Sequence, residues 1–348
     1  MGGGAFKEGS TLQRHKLLLR ENLGHQGPTR RTKAFSNIGM ALAFCISLSL
    51  ASSASAQETI SGEWVVEQGH SAGNVVLTLH RDTGENTFMS SSTVSLETFK
   101  GLSQGQMSSP GNNVNFQIVR EAGLVSCEGY FKEGKGSGVF TFTPSQDFVA
   151  KLSARGYTDI SDEMQFRMAL HDVTVGFIQE FADLGYDHIP AGELVSMRVH
   201  NVTADFVKSL KALGYDQVPI RDLRAMRIHG VTADFIKSLA EAGYQNPPVN
   251  QLVSLRIHDV SIDFIKAMQS AGLAPLKIDQ LVKMRIHDVN PAFVKEVRSL
   301  GYEQASAEQL VKLRIFNVSP EYIQRVKDRV TGDVTIEQLI RLKTVESR

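Results

Sequence analysis

The chain has 348 residues, with 37 basic and 37 acidic side chains that leave it formally neutral. A chain without net positive charge is a poor candidate for nucleic-acid backbone binding, which rests on an excess of clustered Lys and Arg. Two cysteines exclude a scaffold held together by disulfides.

Arg30, Arg31 and Lys33 precede an apolar run from Ile38 to Leu50, which ends in Ala51-Ser52-Ser53-Ala54-Ser55-Ala56. This is the order of a secretory signal, a positive region, an apolar stretch and a small-residue site, and it predicts cleavage after Ala56. The run falls short of the ~20 apolar residues that span a bilayer, so no transmembrane segment is expected in the mature chain. Residues 1–56 hold seven basic and two acidic side chains, which leaves the remainder with 30 basic against 35 acidic and a net of −5. A mildly acidic, periplasmic or secreted protein that does not bind nucleic acid is the expectation. Cys45 would leave with the signal, and Cys127 lies in an alternating segment that reads as a small buried hydrophobe.

Residues 57–143 read as a small β domain, an antiparallel sandwich or meander of about six strands. Trp64-Val65-Val66, Asn74 to His80 and Val114 to Val119 are β-rich runs separated by turn clusters. Leu124 to Phe131 should pair with Gly138 to Phe142. The intervening Gly129 to Gly136 resembles a phosphate loop in spelling, but Gly136 stands where a Ser or Thr should hold magnesium and strand flanks it on both sides. A hairpin turn is the reading there.

From residue 144 to 348 the pattern is helical and repeats every 29 residues, in seven units that predict an α-solenoid of helical hairpins. Together with the β domain this gives an α+β multidomain chain. In each unit a first helix carries Phe and aliphatic residues on one face. Phe206, Val207, Leu210 and Leu213 show it, with Thr203 as N-cap and Gly214 as the stop. A second helix, about Pro219 to His229, should turn Leu223, Met226 and Ile228 inward, and Gly230, Asn201 and Asn317 should tolerate the left-handed turn that follows it. A mid-array aromatic such as Phe235 is expected to carry about 3–5 kcal/mol, and Tyr322 in the last unit clearly less. Thr143-Pro144-Ser145 reads as a break, so the two domains are expected to melt separately.

Four columns recur. Arg198, Arg227, Arg256, Arg285 and Arg314 read either as a structural ladder pairing with Asp205, Asp234 and Asp263 or as a surface for an anionic partner. His200, His229, His258 and His287, with His171 before them, read as closures of the second helix, since stacked helices lie about 8–10 Å apart and zinc ligands converge at about 2 Å. Tyr157, Tyr186, Tyr215, Tyr244 and Tyr302 read as wedges over the turn, a column that Leu273 breaks. Lys208, Lys237, Lys266 and Lys295 form the candidate interaction surface, suited to an acidic protein or envelope polymer. No hydrolase or metallopeptidase motif occurs, so no catalytic, cofactor-binding or metal-ligating residue is assigned.

The phrase from Gly230 to Lys237, with Ala242-Gly243-Tyr244 and Leu252 to His258, resembles helical repeats in exported regions of bacterial proteins, some of which follow the membrane metallopeptidase domain of beta-lactam-sensor-type antirepressors. Phe116 to Phe142 looks like the small β domain that accompanies such repeats. The chain lacks the peptidase motif and its membrane bundle, so the resemblance implies a bacterial envelope location and an interaction or sensing role with no defined biochemical activity; a non-catalytic interaction scaffold is the first expectation. A sensory module with a ligand in the β domain, or a hydrolase with an unrecognised site, are the alternatives.

Overall fold

The computed structural model describes residues 60–346, apart from 70, 83, 85, 86, 110 and 274. The predicted signal and its cleavage site lie outside these residues. Strands β1 (Ile60–Gln68), β2 (Asn74–Asp82), β3 (Thr87–Ser95), β4 (Phe99–Lys100), β5 (Asn112–Arg120), β6 (Gly123–Lys132) and β7 (Lys135–Pro144) form one antiparallel sheet in the order β3-β2-β1-β7-β6-β5-β4. Alternation explains the layering: Trp64, Val66, Phe116, Phe131, Phe140 and Phe142 are buried, and their chain neighbours point outward. Trp64 and Phe116 sit three strand spacings apart in the sheet, about 14 Å if it were flat. Their rings are 5.0 Å apart, because the sheet curls upon its own aromatic face.

Glycine makes room for the indole. Gly129 and Gly138 face each other across β6 and β7. A Cβ on Gly129 would fall 2.5 Å from the Trp64 ring, and one on Gly138 would fall 2.0 Å from the Glu128 carbonyl oxygen. Trp64 Nε1 donates to that same carbonyl at 3.1 Å. The phosphate-loop look-alike is the β6–β7 hairpin, turned by Glu133 and Gly134 at φ 53° and 81°. A five-residue helix, α1 (Gln104–Ser108), places Met107 in the core.

The remaining helices come in pairs. They are α2 (Gln146–Ser153) and α3 (Asp162–Leu170), α4 (Val175–Asp183) and α5 (Ala191–Val199), α6 (Ala204–Lys211) and α7 (Ile220–Ile228), α8 (Ala233–Glu241) and α9 (Val249–Ile257), α10 (Ile262–Ser270) and α11 (Ile278–Ile286), α12 (Pro291–Ser299) and α13 (Ala307–Ile315), α14 (Pro320–Lys327) and α15 (Ile336–Glu346). Odd-numbered helices from α3 to α15 lie side by side in one row, each touching the next of its kind. Helices of eight or nine residues are marginal alone, so their stability comes from this lateral burial. Thr174, Thr203, Thr232, Ser261, Asn290 and Ser319 each accept the N3 backbone N–H at the start of the first helix of a pair. Pro190, Pro219 and Pro248 open the second helix, fixed near φ −53° to −59°.

Sheet and helices share a core. Phe166 of α3 lies 5.6 Å from Phe140, 5.2 Å from Phe142 and 6.0 Å from Phe88. Gln165 is fully buried, and its Nε2 donates to the carbonyls of Ala122 and Ser145 at 2.7 and 2.8 Å. Arg81 pairs with Glu163, Arg120 with Asp172 at 3.3 Å, and Glu121 accepts from the Val175 backbone N–H at 2.9 Å. At the break read at Thr143-Pro144-Ser145 the chain passes directly from the end of β7 through the N-cap Ser145 into α2, and the apolar core runs across it without a gap.

Candidate interaction surface

Each second helix closes in the same way. The residue after the C-cap, a histidine in five helices and Phe316 in the sixth, is left-handed: Asp172, Asn201, Gly230, Asp259, Asp288 and Asn317 have φ between 52° and 68°. Its N–H bonds back to the carbonyl three residues earlier, as Gly230 does to Arg227 at 3.2 Å. The N–H of the following valine bonds five residues back, as Val231 does to Met226 at 2.8 Å. This paired closure is a Schellman motif, and the apolar contact that accompanies it is supplied by Met226 and Val231, both fully buried. The histidines therefore stand at the C-cap, where their backbone N–H groups reach the last carbonyls of the helix. Burial, reinforced by Arg167 and Arg198, holds the His171 imidazole below the ordinary histidine range.

The arginine column is a ladder, but with partners other than those expected. Arg198, Arg227, Arg256, Arg285 and Arg314 lie over Phe177, Phe206, Phe235, Phe264 and Phe293 at 4.6–5.2 Å from the ring centroids. From that seat Arg198, Arg256, Arg285 and Arg314 reach back to the preceding closure. Arg198 Nε donates to the His171 carbonyl at 3.0 Å and Arg256 Nε to that of His229 at 3.3 Å, while Arg285 pairs with Asp259 and Arg314 with Asp288. Asp205 and Asp234 are more than 90% exposed and sit instead beside Lys208 and Lys237 at 3.7 and 3.8 Å. Where the closure residue is an aspartate, as for Arg198, Arg285 and Arg314, the planar fork meets a carboxylate beside an aromatic face, and Arg256 meets a carbonyl alone.

The tyrosines also reach across. Tyr186, Tyr215, Tyr244 and Tyr302 donate their hydroxyls to the carbonyls of Val218, Pro247, Leu276 and Val334, each 32 residues on, at 2.6–2.9 Å. They link one helix pair to the next, a role beyond the turn wedge that spacing suggests. Leu273 holds the same place with a buried apolar side chain.

Two exposed columns remain. Lys208, Lys237, Lys266 and Lys295 are all exposed on the first helices, although the acidic neighbours of Lys208 and Lys237 offset part of their charge. The second column is apolar and lies on the other row. Val199, Ile228, Ile257, Ile286 and Ile315 are 43–53% exposed. Ile228 therefore points outward, against the expectation, because two residues beyond buried Met226 is 200° around the helix. The signal was present in sequence as an aliphatic residue between Arg and His in four successive units, Val199, Ile228, Ile257 and Ile286.

No protein-family model, curated protein or solved structure matches this chain at a significant level. Among the described residues no group of three or more His, Cys, Asp or Glu is placed to hold a metal ion. No described helix is long and apolar enough to cross a membrane. Cys127 is buried, which pushes its thiol up to about 12 and keeps it protonated.

Proposed function

We propose that this protein is an exported, non-catalytic interaction scaffold of the bacterial envelope, in which seven 29-residue helical hairpins form an α-solenoid that holds a protein or envelope-polymer partner. The observation that carries the reading is the row of five half-exposed aliphatic side chains, Val199 to Ile315, spaced one per helix pair. A monomeric surface seldom keeps such a line uncovered without a partner. The bonds from Tyr186, Tyr215, Tyr244 and Tyr302, and from Arg198, Arg256 and Arg314, all join a pair to its neighbour, which is how a stacked array is held. The sequence resemblance to repeats in antirepressor-type envelope proteins supports the location, and the signal pattern before Gln57 supports export.

The test is affinity capture from a native envelope, with the wild-type chain, an Ile257→Asp/Ile286→Asp bait and a Lys237→Glu/Lys266→Glu bait in parallel. A partner lost from either altered bait and kept by the wild type is expected. Identical capture by all three would reject both surfaces. Export predicts Gln57 as the N-terminus of secreted material by mass spectrometry.

A sensory reading is favoured by one observation, the core shared by Phe166 and the sheet, through which a change in the sheet could reach the helices. The cavity beside it, lined by Leu77, Leu79, Ile118, Arg120 and Leu170, holds about 30 Å³. That is room for one water rather than an organic ligand, so the scaffold is the preferred reading.

A further inference from the structure

We infer that the arginine ladder receives two carboxylates of an acidic protein segment, at the rungs of Arg227 and Arg256. The inference rests on the scaffold reading and names the chemistry of its partner. Three rungs carry their own ligand, since Arg198, Arg285 and Arg314 pair with the aspartates that close the preceding helix pairs, Asp172, Asp259 and Asp288. The two rungs between them do not, because Asn201 and Gly230 stand at those closures. Arg256 bonds a carbonyl alone, that of His229, through Nε at 3.3 Å. Arg227 pairs with no carboxylate or carbonyl among the described residues, and its Nε is buried without a partner. Their seats on Phe206 and Phe235 leave the N–H edge of each guanidinium available, as Arg198 shows by lying over Phe177 and holding Asp172 at once. The acids that follow these closures, Asp205 and Asp234, are more than 90% exposed and sit beside Lys208 and Lys237.

A filled rung shows the shape of the site. Arg314 and Asp288 line an open groove of about 400 Å³ together with Asn317 and Ser319. Three units earlier the same places hold Arg227, Asn201, Gly230 and Thr232, so a neutral amide stands where Asp288 supplies its carboxylate. At the next rung a Cβ on Gly230 would lie 3.2 Å from Arg256 Nη2, which puts these donors beside the place a side chain would otherwise take. A carboxylate is the anion that fits, because it is the group the chain itself sets at the filled rungs. Adjacent helices repeat at about 8–10 Å, and in a polyproline II segment side chains three residues apart share one face about 9 Å apart. The match selects an extended segment of the Glu-x-x-Glu kind.

The test titrates a fluorescent Glu-Pro-Pro-Glu peptide into the purified chain, with Gln-Pro-Pro-Gln and inorganic phosphate as comparison probes. Asn201→Asp/Gly230→Asp supplies both missing carboxylates from within, and it keeps the fold because Asp172, Asp259 and Asp288 already take the left-handed closure at φ 52–54°. Saturable binding of the glutamate peptide that weakens as salt rises is expected. Affinity should fall about tenfold or more in the filled variant and in Arg227→Gln. Gln245→Glu/Asn250→Asp adds the same charge at exposed positions near the start of α9, away from Arg256 at its end, and should bind as the wild type does. No binding of the glutamate peptide, equal binding of the glutamine peptide or by the filled variant, or binding of phosphate in place of the peptide overturns the inference. An envelope partner still captured by the Asn201→Asp/Gly230→Asp bait would leave the scaffold reading standing and remove only these rungs from it.

Discussion

Tyr244 illustrates what one hydroxyl does in this chain. Its bond to the Leu276 carbonyl at 2.8 Å crosses from one helix pair to the next, and burial raises its pKa above the ordinary phenol range. Tyr244→Phe removes the donor and keeps the ring, so a loss of about 0.5–1.5 kcal/mol is expected in chemical denaturation. His171 gives a pH signature. Burial first, then Arg167 and Arg198, lowers its pKa in the fold, so the unfolded chain binds its proton more readily. Stability from this group is full above the unfolded value of about 6.5 and declines as pH falls below it. His171→Phe should flatten that part of a stability profile measured between pH 7.5 and 5. Cys127, protonated and buried, should react with a thiol reagent only as the protein unfolds, which trapping kinetics in denaturant will read.

Element-scale packing reverses one expectation. A mid-array position suggested that Phe235 would matter more than Tyr322, but Phe235 is half-buried under Arg256, while Tyr322 is 1% exposed with Arg325 and Lys343 over its ring. Tyr322→Ala should therefore cost about 3–5 kcal/mol and Phe235→Ala less, as measured by urea titration. Much of the helical region was legible: Thr203 and Thr232 cap as read, Gly214 ends α6, and α7 lies between Pro219 and His229. Local rules suffice there, since each cap involves residues three or four apart. In the β domain β3 escaped notice because Ser90, Ser91 and Ser92 interrupt its pattern, and two-residue β4 is too short to show one. The arginine partners escaped for another reason: they are 26 and 27 residues distant, and periodicity alone does not tell a bond within a unit from one between units. Of the two exposed columns, the exposure of the lysines was legible, whereas Ile228 was read as core.

At the scale of the whole molecule, the junction decides how it unfolds. Phe166 among Phe88, Phe140 and Phe142, with Gln165 bonded to two carbonyls of the β side, makes the first helix pair part of the sheet's core. Trp64 fluorescence and the helical circular dichroism of the first pairs should consequently be lost together, in place of the separate transitions suggested by Pro144. Phe166→Ala should uncouple them, seen as a fluorescence midpoint that falls below the helical one.

The tyrosine bonds, each spanning 32 residues and joining only adjacent pairs, also set how the chain behaves under tension. Pulled from its C-terminus, the molecule should yield like a zip fastener, one tooth at a time, since each of these tyrosine bonds ties a single pair to the next. Each tooth would release about 100 Å of contour for 29 residues. The tooth secured by Leu273, which lacks a hydroxyl, should give at lower force than the neighbours held by Tyr244 and Tyr302, a soft coil within the spring.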